Sequence, residues 1–222
     1  MVLASRNRGK LREIVPLLAG LGFDLVTVDE VAPDCELRED GATFEDNALA
    51  KARQAAAATG LAAIADDSGL EVDALGGAPG VYSARYAGLP TISSGTLGGS
   101  PVPPATGVGK QSSPDSHAID TRNNAKLLEA LRDVPASRRG ARFRCVAAFV
   151  DPGAGVELAR SGDCAGEILV QPRGDLGFGY DPLFLVPALG RTMAELPLDE
   201  KNRLSHRAAA FRALADALAH RV

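Results

Sequence analysis

VLASRNRGKLREIVPLLAGLG, residues 2–22, reads as strand, turn and helix in one short run, and that succession sets the class of the whole chain. Val2 to Ser5 is short and apolar. The run breaks at Asn7 and Gly9 and resumes with Leu11, Ile14, Val15 and Leu18 at helical spacing. The same alternation follows downstream. Phe23 to Val28 is a second strand, and Phe44 to Thr59 a second helix with Thr43 as N-cap, Asp46 three residues on and Gly60 as its stop. Leu61 to Ala65 is a buried strand, which the reading ends in a turn at Asp66-Asp67-Ser68-Gly69. Strands alternating with helices make an α/β fold.

Farther along, Gly, Pro and Ser supply more than half of residues 89–117, with no apolar period, so a flexible surface insertion is expected there. A helix is expected from Thr121 to Arg132, and strands at Arg142 to Val150, Val156 to Arg160 and Ile168 to Val170. Leu204, Ala208, Phe211, Leu214, Ala215 and Leu218 form a final stripe, with Ser205 as a cap inside it, so one helix and two remain open. With 222 residues and about 150 per domain as a guide, the chain is read as one domain, residues 1–222.

Composition excludes several classes. Lys and Arg number 24 against 28 Asp and Glu, a net charge of −4, so there is no cationic field for duplex binding, and any anionic ligand must meet local positive charge. No apolar run reaches the roughly 20 residues of a membrane span, and the charged start lacks a signal core. A cytosolic protein with no membrane or nucleic-acid partner is expected. Cys35, Cys145 and Cys164 are odd in number and scattered, without a CxxC pair, so reduced thiols are expected in place of a disulfide framework or zinc site.

Four clusters carry candidate chemistry. Ser5-Arg6-Asn7-Arg8-Gly9-Lys10 joins a strand end to a helix start, where free N–H groups and the helix dipole favour an anion. It lacks the Walker A spacing, and an ordinary turn with solvated basic residues is the competing account. Glu39 and Asp40 before the second helix, with Asp66-Asp67 at a strand end, offer the hard oxygen donors that Mg2+ selects. Turn chemistry explains Asp66-Asp67 equally well. Lys51 stands one turn after Asn47 and can face the same site. Gly177-Phe178-Gly179-Tyr180-Asp181 lets backbone approach a flat ligand, with Phe178 available for stacking or for the core. Lys201 and Ser205-His206-Arg207 place donors at a helix start.

Taken in order, ASRNRGK (4–10), TFEDNALAKA (43–52), ADDSGLEVDALGGAPGVYSARYAG (65–88), GFGYDPLF (177–184) and EKNRLSHR (200–207) closely resemble the motifs of the inosine triphosphate pyrophosphatase family, also called XTP/dITP diphosphatases. The resemblance covers nearly the whole chain except residues 89–117. It implies an elongated, two-lobed mixed-sheet fold with its active site in the cleft, usually as a homodimer. It also implies Mg2+-dependent hydrolysis of purine nucleoside triphosphates bearing hypoxanthine or xanthine (ITP, dITP, XTP) to the monophosphate and pyrophosphate. By motif, Ser5, Arg6, Asn7, Arg8, Gly9, Lys10 and Lys51 would hold the triphosphate. Glu39 and Asp67, with Asp66, would hold metal; Asp67 would also accept the proton of the attacking water, and Ser68 would touch substrate. Phe178 would stack on the base, with Gly179, Tyr180, Asp181, Lys201, His206 and Arg207 around it. The chain departs from the family at Arg6, where Gly is usual, which adds bulk and charge at the phosphate turn.

The implied chemistry has an electrostatic requirement. A triphosphate brings about four negative charges, and unit charges 4 Å apart interact by about 4 kcal/mol at an effective dielectric near 20, so carboxylates there demand intervening cations. Donors from His206, Arg207 or backbone N–H groups would favour a 6-oxo purine over adenine. A pyrophosphatase for modified pyrimidine nucleotides and a non-catalytic nucleotide sensor are the competing functions. Intact carboxylates at 39, 66 and 67 disfavour the sensor.

Overall fold

A computed structural model describes residues 1–19, 22–88 and 114–220. The opening stretch folds as strand, turn and helix, with the expected strand 2–5 shortened to two residues and Val15 of the expected stripe exposed. Val2–Leu3 forms β1, and Asn7 accepts the Lys10 N–H at 3.1 Å to cap α1, Arg8–Leu18. The expected strand at 23–28 shrinks to β2, Val26–Thr27, because Thr27 N–H and Oγ1 both donate to Glu30 Oε2 at 2.6 and 2.8 Å. That capping box turns the chain at once into α2, Val28–Val31. The next helix, α3, spans Phe44–Thr59 between the expected Thr43 cap and Gly60, whose N–H bonds Ala56 O at φ 69°.

The main departure comes at 66–69. There is no turn: β3 runs unbroken over Ala63–Val72. It pairs antiparallel with β4, Gly140–Asp151, in a register that sets Asp66 opposite Ala147, Asp67 opposite Val146 and Ser68 opposite Cys145. The β4 ladder pairs one edge of this stretch, on the other Lys51 Nζ donates to Asp66 O and Ser83 Oγ accepts the Leu70 N–H, and these bonds override the local turn preference of Asp-Asp-Ser-Gly.

The strand expected at 156–160 runs on to form β5, Val156–Ile168, and of the strand expected at 168–170 only Ile168 belongs to it. Its middle is polar on the solvent side while Leu158, Gly162, Cys164 and Ile168 face inward, so the inward-facing residues alternate where an apolar run was sought. Two short strands not foreseen, β6 (Phe184–Val186) and β7 (Arg191–Thr192), complete a mixed seven-stranded sheet in the order β2-β1-β3-β4-β5-β6-β7. Among the described residues only β1 pairs in parallel, with β2 and β3. Helix α4 spans Pro114–Ala130 and so begins before the expected Thr121; residues 114–117 of the expected insertion are helical, and 89–113 lie outside the described residues. The C-terminal stripe is two helices, α5 (Leu198–Leu204) and α6 (His206–Ala219), parted by Ser205, whose side chain caps α6 by accepting Ala208 N–H.

Three apolar clusters fill this frame. At one end of the sheet, α3 packs on one face against Ala63, Ala65, Val146 and Ala148, while α1 and α6 pack on the other against Ile64, Cys145, Ala147 and Phe149. At the far end, Leu70, Val72, Phe143 and Ile168 pack with α4 and with Tyr180, Leu183 and Met193. Strand β3 runs through both ends, and its polar residues 66–68 fall between the cores. The site is at that seam.

Candidate active site

Because side chains alternate along a strand, a continuous β3 sends Asp66 and Ser68 to the α1–α6 face and Asp67 to the α3 face. Each face has its own set of partners. Gly162 of β5, where a Cβ would run into the Ala210 nitrogen and His206 carbonyl oxygen, lets the first turns of α6 lie directly on the sheet.

On the α3 side, Asp67 Oδ2 accepts from Asn47 Nδ2 at 2.9 Å and Oδ1 from the Ser68 N–H at 3.0 Å. Lys51 Nζ lies 3.8 Å from Asp67 Oδ1, donates to Asp66 O at 2.6 Å and makes a tight ion pair with Glu39. Glu39 and Asp67 therefore share one ammonium, as a common site requires. Asn47 also accepts the Gly41 N–H at 2.7 Å, tying the loop that carries Glu39 to Asp67. The two carboxyls diverge: burial pushes Asp67 above its ordinary value against the pull of Lys51 and Lys10, whereas those same cations outweigh burial at Glu39 and hold it below. An acceptor and a persistent anion thus stand side by side.

On the other face, Asp66 is buried and held well below the carboxylate range, because Lys10 and Arg207 outweigh its desolvation. Lys10 Nζ is 3.1 Å and Arg207 Nε 3.2 Å from Asp66 Oδ2. Arg207 also donates to Ser68 Oγ at 2.7 Å and pairs with Glu13, which in turn pairs with Lys201 at 2.7 Å; Lys201 reaches Asp181 Oδ2 at 2.5 Å. A chain of ion pairs therefore links α1, β3, α5, α6 and the 177–181 loop. Glu13 was missed by the sequence reading. Its signal was position: it sits one turn after Lys10, beside buried Ile14, on the inward face of α1.

The other expected residues divide. Phe178 stands over the α1 start, close enough that a Cβ on Gly9 would come within 2.7 Å of its ring, with Lys201 Nζ 5.2 Å and Arg207 Cζ 5.8 Å from its centroid. Ser5 is buried and accepts the Asn7 N–H at 3.3 Å, while Arg8 lies exposed on the first turn. Arg6 turns away: it bonds Asp29 Oδ1 at 2.6 Å and the carbonyls of Pro33 and Cys35 at 2.8 and 2.9 Å. Tyr180 sends its ring into the far core and donates to Ser83 O at 2.9 Å, so only its backbone can border the site. His206 is buried, stacks on Phe143 at 4.8 Å and is held neutral by desolvation and by Arg207 and Lys201. Cys35, Cys145 and Cys164 carry no disulfide, and burial raises the Cys164 thiol to about 11.

Among the described residues no three His, Cys, Asp or Glu side chains stand together as a ready metal group, and no helix is long and apolar enough to cross a membrane. A hard divalent ion needs less than such a group, since Mg2+ takes one or two carboxylates and completes its shell with water and phosphate oxygens. The donor set fits that demand. The ion-paired cluster holds five carboxylates (Glu13, Glu39, Asp66, Asp67, Asp181) against four cations (Lys10, Lys51, Lys201, Arg207), and Glu39 and Asp67 meet on the α3 face, whereas Asp66, expected with them, turns to the α1–α6 face, its Oδ1 buried without a hydrogen-bond partner among the described residues.

Comparison with known proteins agrees in sequence and in shape. A family model described as the Ham1 family matches residues 1–217. The chain is 49% identical over 218 residues to a dITP/XTP pyrophosphatase of Geobacter sulfurreducens, covering 98% of this chain and 96% of the relative. It is 46% identical over 222 residues to the Yersinia pseudotuberculosis protein of that name, covering 98% and 97%. Among solved structures, the Staphylococcus aureus Ham1 protein superposes with a TM-score of 0.77 at 36% identity, covering 100% of this chain and 98% of that one. A Coxiella burnetii HAM1 protein gives 0.77 at 40%, covering 99% and 98%.

Proposed function

The chain belongs to the Ham1 family, and on that premise we propose that it is a hydrolase that cleaves deaminated purine nucleoside triphosphates (dITP, ITP and XTP) to the monophosphate and pyrophosphate, with Mg2+. The observation that carries this reading is the placement of Asp67 and Glu39 on either side of Lys51, at the seam where α1 presents its N-terminus and Phe178 its ring.

The triphosphate lies along Ser5–Lys10, where the α1 dipole and Lys10 favour an anion. Phe178 stacks on the base. Water attacks the α-phosphorus, a new P–O bond forms as the bond to the β-phosphate oxygen breaks, and Asp67 takes the proton. Its raised pKa suits an acceptor, and the Asn47 and Ser68 hydrogen bonds hold it in place. Lys10 and Lys51 offset charge gathering on the pyrophosphate. Glu39 and Asp67 would hold Mg2+, which when bound neutralises phosphate charge and orients the water. Asp66, across the sheet, keeps Lys10 and Arg207 aligned.

Base choice rests on Arg207 and a neutral His206, which can donate to a 6-oxo group and leave adenine unpaired; an unpaired buried donor discriminates strongly. The homodimer and the cytosolic location expected from the sequence belong to the same proposal, and sedimentation at assay concentration tests the former, a monomer removing it. The deciding assay incubates the protein with dITP, XTP, GTP and ATP, with Mg2+ and with EDTA, and measures pyrophosphate. Release from dITP and XTP only with Mg2+ is expected; equal turnover of all four, or orthophosphate as first product, overturns the proposal.

A further inference from the structure

Phe178 is carried by a backbone that cannot hold it alone. It lies between Gly177 at φ 76° and Gly179 at φ 62°, both in the left-handed region, where glycine has no strong preference of its own. Two sets of hydrogen bonds supply the missing rigidity. From inside, Asp181 Oδ2 accepts the Phe178 N–H at 2.9 Å. From outside, α4 grips the next residue by both of its peptide groups: the Gly179 N–H donates to Asp120 Oδ2 at 2.8 Å, and Asn124 Nδ2 donates to Gly179 O at 2.9 Å.

Residues 120 and 124 are four apart on α4, so they share one helix face and act as a two-point clamp. The helix is itself anchored, since Asn123 accepts the Ala87 N–H at 2.8 Å and donates to the carbonyls of Ser83 and Ala84 at 3.3 Å. Ser83 O also receives the Tyr180 hydroxyl, so helix, loop and the 80–88 segment form one hydrogen-bonded unit. The sequence shows none of this, because Asp120 and Asn124 lie more than fifty residues from Gly179.

We propose that Asp120 and Asn124 are positioning residues that set the height and tilt of Phe178, and through it the affinity for the purine base, while leaving the triphosphate chemistry unchanged. This rests on the reading of the site as a purine nucleoside triphosphate pyrophosphatase. A stacking platform shifted by a fraction of an ångström loses contact with a flat ligand but leaves the phosphate groups, held elsewhere, in place.

The test separates base from phosphate. KM and kcat for ITP, and the inhibition constant of inorganic tripolyphosphate, which carries the phosphates without a base, are measured with Mg2+ for wild type and for Asp120→Ala/Asn124→Ala. Losing two hydrogen bonds predicts a KM for ITP raised about tenfold, kcat within about twofold and an unchanged tripolyphosphate constant. Asp120→Asn, which keeps an acceptor, should restore most of the loss. If the double variant unfolds by circular dichroism, Asn124→Ala alone should show the same split at about threefold. An unchanged KM, or a tripolyphosphate constant that weakens in step with it, overturns the clamp while wild-type turnover of ITP keeps the function standing. Wild type that neither binds nor cleaves ITP removes the function, and the clamp's role with it.

Discussion

Asp66 and Asp67 are neighbours in β3, yet the faces they point to work in opposite ways. Asp66 looks into a charge-saturated layer: Lys10 and Arg207 flank it, and Glu13 with Lys201 extends the alternation of signs to Asp181. Asp67 looks toward α3, where the ammonium it meets is 3.8 Å away and already engaged by Glu39. Both are buried, at 1% and 6% exposure, but their carboxyls move in opposite directions. Cation supply, and not depth, separates them. The first face braces helices against the sheet; the second leaves a carboxylate able to take a proton.

The sharpest way to break this contrast is at Asp67. Asp67→Asn should lower kcat for dITP by about 10²–10⁴-fold, the usual worth of a positioned general base, with unfolding in urea near wild type. Wild-type turnover would show that the two faces do not divide the labour. Asp66→Asn should do the reverse to stability, costing about 3–5 kcal/mol by urea titration, because Lys10 and Arg207 lose the anion between them. A cost below about 1 kcal/mol would mean the saturated face is not a brace.

Acid sharpens the same comparison. Glu13 and Asp66 sit below their ordinary values of 4.5 and 3.8 in the folded chain, so their contribution is fully present above about pH 4.5 and is lost as pH falls through the folded values. Asp67 is raised, so its ionisation opposes folding and acid relieves that strain. Melting temperature followed from about pH 7 to about pH 3 should fall below about pH 4.5, less in Glu13→Gln and more steeply in Asp67→Asn. Identical curves would remove the opposite signs. The smallest effect is expected at Arg6: its guanidinium serves Asp29 and two carbonyls, and since such partly exposed pairs are worth about 0–1 kcal/mol, Arg6→Ala should leave KM for dITP within about fivefold. A much larger rise would return Arg6 to the phosphate turn.

Much of the frame was legible because its signals are local. The Thr43 and Ser205 caps, the Gly60 stop, the break at Asn7 and the periodicity of Leu11, Ile14 and Leu18 each depend on residues within a turn or two and appear where expected, while Val15 of the same stripe is exposed. The length of β5 was hidden by its exposed polar face, and β2 was cut short by a capping box lying inside an apolar run. At the site, motif order picked out Lys10, Glu39, Lys51, Asp67, Phe178 and Arg207, which the fold gathers at one seam. Glu13, Asp120 and Asn124 escaped notice because a lone polar residue in a helix carries no mark of what it will meet.

Residue order alone determined the α/β class, the helix boundaries set by caps and glycine stops, and the set of charged side chains able to handle a polyanion. Tertiary structure alone decided which aspartate faces which chemistry. Asp-Asp-Ser-Gly is a good turn in isolation and becomes strand only when β4 supplies its ladder. The buried Asp66 carboxylate is then tolerable because Arg207, 141 residues away, reaches it with a matching charge. Burying an ion is favourable only with a partner in place, and in this chain the partner arrives through folding.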